Sequence, residues 1–89
     1  MNTIWKAELP LEGEFSLELP AGAVFLAVQT QGDNPKAWFV VNTKSELEER
    51  FFELLGTGHE LQRVDQLRYL GTFQILDGRF VGHLFERKR

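Results

Sequence analysis

The stretch that decides the fold is Leu70-Gly71-Thr72-Phe73-Gln74-Ile75-Leu76-Asp77-Gly78-Arg79-Phe80-Val81-Gly82-His83-Leu84-Phe85. Two apolar-rich runs flank an Asp-Gly pair, which is the strongest short-range sequence signal for a β-hairpin with a type I′ turn. Such a turn fixes the register of its strands, and the register decides which side chains share a face. The stretch therefore predicts a C-terminal hairpin that turns at Asp77-Gly78.

The predicted register separates a core face of this hairpin from an outer face. A two-residue loop pairs Leu76 with Arg79 and places Phe73 opposite Gly82, where the Phe ring can cover the bare glycine backbone. The core face then consists of Gly71, Phe73, Ile75, Phe80, Gly82 and Leu84. The outer face carries side chains that are too apolar for a purely solvated surface. We take as the candidate protein-contact face Leu76, Val81, His83 and Phe85.

Two segments near the N-terminus alternate as half-buried strands do. The strand predicted over Thr3–Leu9 has Ile4 as an odd apolar residue on its outer side. The strand predicted over Glu14–Leu19 is bounded by Pro20, which cannot donate to a ladder. The inward side chains of the two segments are Trp5, Ala7 and Leu9, followed by Phe15, Leu17 and Leu19.

Two further segments, Ala23–Val28 and Ala37–Val41, are apolar at every position. Turn chemistry at Gly32-Asp33-Asn34-Pro35 separates them. Adjacent strands without alternation indicate a sheet centre that is covered on both faces. A closed barrel, a two-layer sandwich or a second subunit would each provide that cover.

The segment from Lys44 to Gly58 supports two interpretations. Ser45 and Glu48 form a capping box, and the spacing of the following apolar residues is helical. The competing interpretation is a strand over about Glu49–Leu55 with inward side chains at Phe52 and Leu54. Local pattern alone does not choose between the two.

Composition limits the domain count and the class of protein. The 89 residues allow one domain, and 43% hydrophobic residues, with eight Phe and two Trp, supply its core. The absence of cysteine excludes disulfides and zinc sites built on thiolates. A net charge of −3 argues against binding nucleic acid through its phosphates. Neither a membrane-spanning run nor a signal peptide is recognisable, which predicts a cytoplasmic protein without membrane contact.

Several motifs resemble those of a family of small proteins that tailed bacteriophages and prophages encode. They span nearly the whole chain and comprise Ile4-Trp5-Lys6-x-Glu8-Leu9-Pro10, Pro20-Ala21-Gly22-Ala23, Trp38, Gly56-Thr57-Gly58-His59, Tyr69-Leu70-Gly71-Thr72-Phe73-Gln74 and His83-Leu84-Phe85-Glu86. The resemblance implies the cytoplasm of a bacterial host, with virion association as an alternative. The family has no assigned activity, so no catalytic or ligand residue follows from it. Its pattern before Gly56 implies a strand rather than a helix.

Together these observations predict one all-β domain over residues 1–89. We expect an antiparallel β-sandwich or partly open barrel of six to seven strands, with residues 87–89 as a frayed basic tail. Gly56 and Gly58 are expected to form a tight structural turn, as Asp77 and Gly78 do in the hairpin.

The chain contains no strong sequence motif for catalysis, phosphate binding or metal binding. Gly56-Thr57-Gly58-His59 lacks the lysine of a phosphate-binding loop. His59 and His83 lack a third metal ligand at a recognisable spacing. Ser16 and Ser45 are the only serines, and neither lies in a strand-turn-helix elbow. We therefore predict no catalytic, cofactor-binding or metal-binding residues and no enzymatic activity.

The remaining hypotheses concern binding. The first is a protein-interaction or assembly module, with a protein partner or a homodimer, because more apolar surface is present than one small core can bury. The second is a nucleic-acid-binding β-barrel that stacks bases on Trp5, Trp38, Phe39, Tyr69 and Phe80. An enzyme of unknown class is the third.

Overall fold

A computed structural model describes all 89 residues, which form seven β-strands and one 3₁₀ turn at Val64–Gln66. The strands are β1 (Asn2–Glu8), β2 (Gly13–Pro20), β3 (Val24–Gln31), β4 (Asn34–Asn42), β5 (Leu47–Gly56), β6 (Leu67–Ile75) and β7 (Phe80–Arg87). Every neighbouring pair is antiparallel. The prediction of an all-β chain with six to seven strands is confirmed.

The strands form two sheets that pack as a sandwich. The three-stranded sheet has the order β1-β4-β3, and the four-stranded sheet has the order β2-β5-β7-β6. The sheets pack closely where β3 meets β6, because a Cβ atom built on Gly71 would lie 2.6 Å from Val28 Cγ1. Only a residue without a side chain fits between the layers at that point. The prediction of a sandwich is thereby confirmed.

The segment after Lys44 is a strand, as the family resemblance implied. β5 pairs with β2 from Gly13↔Leu54 to Pro20↔Leu47, and with β7 from Phe52↔Glu86 to Gly56↔Gly82. Its buried side chains alternate at Arg50, Phe52 and Leu54. The capping box at Ser45 is a local preference worth about 1 kcal/mol, and pairing along both edges of β5 outweighs it.

The C-terminal hairpin has the predicted register. Phe73 pairs with Gly82 and Ile75 with Phe80, although the ladder ends there, one pair earlier than expected. Leu76 and Asp77 both have positive φ, and the Leu76 N–H donates to Asp33 Oδ1 at 3.0 Å. Arg79 still contacts Leu76, because its backbone N–H and its Nε donate to the Leu76 carbonyl at 3.1 and 3.0 Å, but both residues lie in the hairpin loop and not in the ladder.

The core lies between the sheets, and Phe39 on β4 is at its centre. Phe39 is 0% exposed and contacts Phe25 and Phe52 edge-on, at centroid distances of 5.8 and 6.2 Å. The buried apolar side chains from both sheets are Leu9, Leu19, Ala23, Val28, Ala37, Phe39, Val41, Phe52, Leu54, Phe73, Ile75 and Leu84.

A buried ion pair joins two neighbouring strands of the four-stranded sheet, β5 and β7, on the side that faces the core. Arg50 on β5 donates through Nε to Glu86 Oε2 at 2.6 Å and through Nη2 to Glu86 Oε1 at 2.9 Å. The two side chains are only 5% and 7% exposed. The guanidinium also donates to the Ala23 carbonyl and lies 5.9 Å from the centroid of the Phe39 ring. The hydrogen bonds to Glu86 raise the pKa of Arg50 above its ordinary value.

Substitution of Gly82 by alanine tests the close approach of Phe73. A Cβ atom at Gly82 would lie 2.5 Å from Phe73 Cζ and 3.0 Å from Leu54 Cδ2. We expect Gly82→Ala to lower the free energy of unfolding by about 1–3 kcal/mol, the usual cost of overpacking a core, measured by urea denaturation. Adding Phe73→Leu to Gly82→Ala removes the ring and should recover part of the loss. An additive double variant would contradict the proposed contact.

Candidate contact surfaces

The outer side of the four-stranded sheet holds most of the predicted contact residues. Val81, His83 and Phe85 on β7 are half-buried and share this side, whereas Leu76 lies in the hairpin turn and is 43% exposed. Phe85 packs edge-on against Tyr69 of β6 at a centroid distance of 5.6 Å. We call the aromatic face the set Phe51, Leu55, Tyr69, Val81, His83 and Phe85.

His83 is the polar centre of the aromatic face. Its Nε2 lies 2.7 Å from Thr57 Oγ1, and its Nδ1 lies 3.0 Å from Thr72 Oγ1. Tyr69 OH continues the chain by a hydrogen bond with Thr72 Oγ1. Both ring nitrogens are therefore engaged by hydroxyl groups, which fixes the orientation of the imidazole. This arrangement makes His83 part of a rigid surface.

A shallow depression of about 190 Å³ lies beside His83. The loop after β5 forms one wall, where Gly58 has a φ of +90°, whereas Gly56 is the buried last residue of β5. His59 also lines the depression, but its Nδ1 faces Glu12 Oε2 at 3.6 Å. No group of three or more His, Cys, Asp or Glu side chains is arranged to hold a metal ion.

The other half of the same sheet side is acidic. Along the β2–β5 ladder, Glu14 lies opposite Glu53 and Glu18 lies opposite Glu49. Directly opposed like charges destabilise a sheet, and only part of this charge is compensated within the chain. Ser16 Oγ donates to Glu49 Oε2 at 2.9 Å, and two arginine side chains approach Glu14 at 3.6 Å.

An exposed apolar row crosses the outer side of the three-stranded sheet. Ile4 pairs with Val40, and Val40 pairs with Val24, so the three side chains lie next to one another on three strands. Ile4 is 59% exposed and Val24 is 58% exposed. Nothing in the chain covers this apolar row, although the uninterrupted apolar segments predicted cover on both faces. Seven strands in two layers leave no third layer to supply it.

The apolar row is bounded by charged groups at one end of the sheet. Lys36 on β4 is buried to 9% exposure and its Nζ lies 2.6 Å from Glu8 Oε1 on β1. This hydrogen bond and charge lower the pKa of Glu8 below its ordinary value. Lys6 Nζ donates to Gln31 Oε1 at 2.9 Å. The three-stranded sheet thus presents an apolar surface with a polar border.

The fold and these surfaces define a small β-sandwich with two outer faces that carry exposed apolar side chains. The whole chain, residues 1–89, matches the model of a family described as a domain of unknown function, DUF7352, and the chain belongs to that family. No curated protein and no solved structure matches the chain. None of its helical turns is long and apolar enough to cross a membrane.

The sequence predicted that Val81, His83 and Phe85 lie on the same side of one sheet, and it did not predict the apolar row. Three of the four residues in the candidate contact face share one side of a sheet, and β5 and β6 add Phe51, Leu55 and Tyr69 to them. The apolar row was missed, although Ile4 was recognised as an outward apolar residue. The missing information was that Val40 and Val24 pair beside it, and pairing across strands is not encoded in any local pattern.

Proposed function

We propose that this protein is a non-enzymatic protein-interaction or assembly module of phage or prophage origin. The single observation that carries the proposal is the apolar row, in which three aliphatic side chains on adjacent strands face water together. Exposed contiguous apolar side chains mark protein-contact surfaces in soluble domains. The resemblance of the motifs to those of tailed-phage proteins supports the origin and a location in the bacterial host cytoplasm.

Self-association is the simplest form of this function. A second copy would cover the apolar row with the same row in an isologous contact, which is the commonest symmetry of small assemblies. Alternatively, a partner protein of the phage or the host covers the apolar row. The half-buried aromatic face on the opposite sheet gives the module a second surface.

A charge placed in the apolar row tests the proposal. We expect the wild-type chain to self-associate at tens of micromolar in size-exclusion chromatography with light scattering. Val24→Glu should weaken association by about tenfold or more, because it buries a carboxylate without a partner at the contact. Gln29→Glu is the matched control, since it adds the same charge to an exposed site on the same strand.

Two results would count against the proposal. A wild-type chain that stays strictly monomeric would remove self-association and leave only the partner protein. If Val24→Glu then captured the same crosslinked proteins from host cells as Gln29→Glu does, the apolar row would not be the contact surface.

A further inference from the structure

The start of β6 and the end of β7 bring four basic side chains to one end of the sandwich. They surround an open depression of about 200 Å³ that is lined by Arg68, Glu86, Arg87, Lys88 and Arg89. Arg68 pairs with Glu86 in the β6–β7 ladder, although it is distant in sequence from the three terminal residues. The sequence shows only the basic run Arg87-Lys88-Arg89, and the pairing of β6 with β7 brings Arg68 next to this run.

The one acidic residue of this depression does not neutralise it. Both carboxylate oxygens of Glu86 accept hydrogen bonds from Arg50, at 2.6 and 2.9 Å, and its side chain is 7% exposed. The charge of Glu86 is therefore balanced inside the core. The basic residues around the depression therefore gain no compensation from Glu86.

Two of these four residues form no ion pair within the chain. Arg87 approaches Glu14 at 3.6 Å, and Arg89 is paired with Glu48. Arg68 and Lys88 have no carboxylate within ion-pair distance. In a chain with a net charge of −3, two uncompensated basic groups beside one depression form a local positive site.

The geometry of this end holds the basic groups in place. The Lys88 N–H donates to the Gln66 carbonyl at 2.8 Å, and Lys88 Nζ donates to the Asp65 carbonyl at 3.0 Å. The guanidinium of Arg87 is held on the outer side of the sheet by a cation–π contact, 5.2 Å from the centroid of the Phe51 ring, which leaves Arg68 and Lys88 as the uncompensated donors of the depression. A partly ordered set of donors loses less entropy when it binds an anion.

We propose that Arg68 and Lys88 form a binding site for a phosphate group in this depression. Guanidinium groups match the oxygens of phosphate in bidentate hydrogen bonds, and a lysine adds a point charge. Two uncompensated basic groups match the two charges of a phosphate better than the single charge of a carboxylate. The phosphate could belong to a small molecule or to the backbone of a nucleic acid.

The experiment is an NMR titration of the full chain at low salt. Inorganic phosphate is added in one arm and a thymidine oligonucleotide in the other, with sodium chloride at matched ionic strength as the reference. We expect the amide signals of Arg68 and residues 86–88 to shift with phosphate. Arg68→Ala and Lys88→Ala should each weaken binding by about fivefold or more, because each removes a charge-assisted hydrogen bond.

Arg79→Ala is the matched control, because it removes one arginine charge at the hairpin turn, outside this depression. If the oligonucleotide binds more tightly than inorganic phosphate and shifts the same amide signals, the site is supported and its ligand is a nucleic acid. In that case the affinity for the oligonucleotide should fall steeply as the salt concentration rises. Phosphate binding equally well supports the site for a small phosphorylated molecule. No shift in either arm, or equal weakening in Arg79→Ala, overturns the site. None of these results depends on the apolar row.

Discussion

Arg50→Met is expected to destabilise the protein by about 3–5 kcal/mol, because it leaves the Glu86 carboxylate buried without a partner. It also removes the donor to the Ala23 carbonyl in the β2–β3 connection and the contact with Phe39. The loss is comparable to the whole stability of many small domains. Urea denaturation followed by circular dichroism measures it, and a chain that is already unfolded in buffer is the extreme form of the expected result.

The double variant Arg50→Met/Glu86→Leu separates the cost of an unpaired charge from the value of the pair. Two apolar side chains of similar volume need no ionic partner, so we expect the double variant to be more stable than Arg50→Met alone by at least about 2 kcal/mol. The Ala23 carbonyl loses its hydrogen bond to Arg50 in both variants, so the cost of this loss cancels when their free energies of unfolding are compared. If Arg50→Met alone changed stability by less than about 1 kcal/mol, Glu86 would have to reach water and the pair would not be buried in solution.

Phe39→Ala is the second substitution with a large expected effect. The ring is fully buried between the sheets, and its removal leaves a cavity next to Phe25, Phe52 and Arg50. Loss of a buried aromatic ring costs about 3–5 kcal/mol. We expect a reduction of that size in the free energy of unfolding, measured in the same urea experiment.

Val40→Ala is the matched control, because Val40 is the next residue on the same strand and points to the outer side. There the side chain is only partly buried, so we expect a loss of about 1 kcal/mol or less. Equal losses at Phe39 and Val40 would mean that the outer side of the three-stranded sheet is as well covered as the core, and would argue that a second chain covers it.

Short-range patterns in the sequence predicted most of the strands. The Asp77-Gly78 pair and the period of two around it were sufficient for the register of β6 with β7 from Gly71 to Ile75, since a hairpin couples neighbours in sequence. They did not predict the bulge that shifts the register between Tyr69 and Gly71. The alternation of Phe15, Leu17 and Leu19 was sufficient for the inward face of β2. β5 was different, because Ser45 and Glu48 favour a helix locally and only pairing with two distant strands overrides them.

The buried pair of Arg50 and Glu86 was not predicted, for a physical reason. Charged residues are expected at the surface, and each of these two lies in a stretch with other charged residues. Burial becomes favourable only when both groups meet in one geometry with their hydrogen bonds satisfied. The same limit applies to the apolar row, because β1 lies far along the chain from β3 and β4.

The position of β7 in its sheet has a consequence for how the protein is made. β7 is the last strand in chain order, yet it lies between β5 and β6 and supplies Glu86 to the core. During synthesis, β2 and β5 can pair early. The four-stranded sheet stays incomplete until β7 leaves the ribosome, because β7 is the strand that joins β5 to β6. Until then, the inner apolar face of the three-stranded sheet also has no complete sheet to pack against. We therefore expect the sandwich to form only after β7 has been synthesised, and a chain that ends before Phe80 to expose apolar surface that chaperones bind.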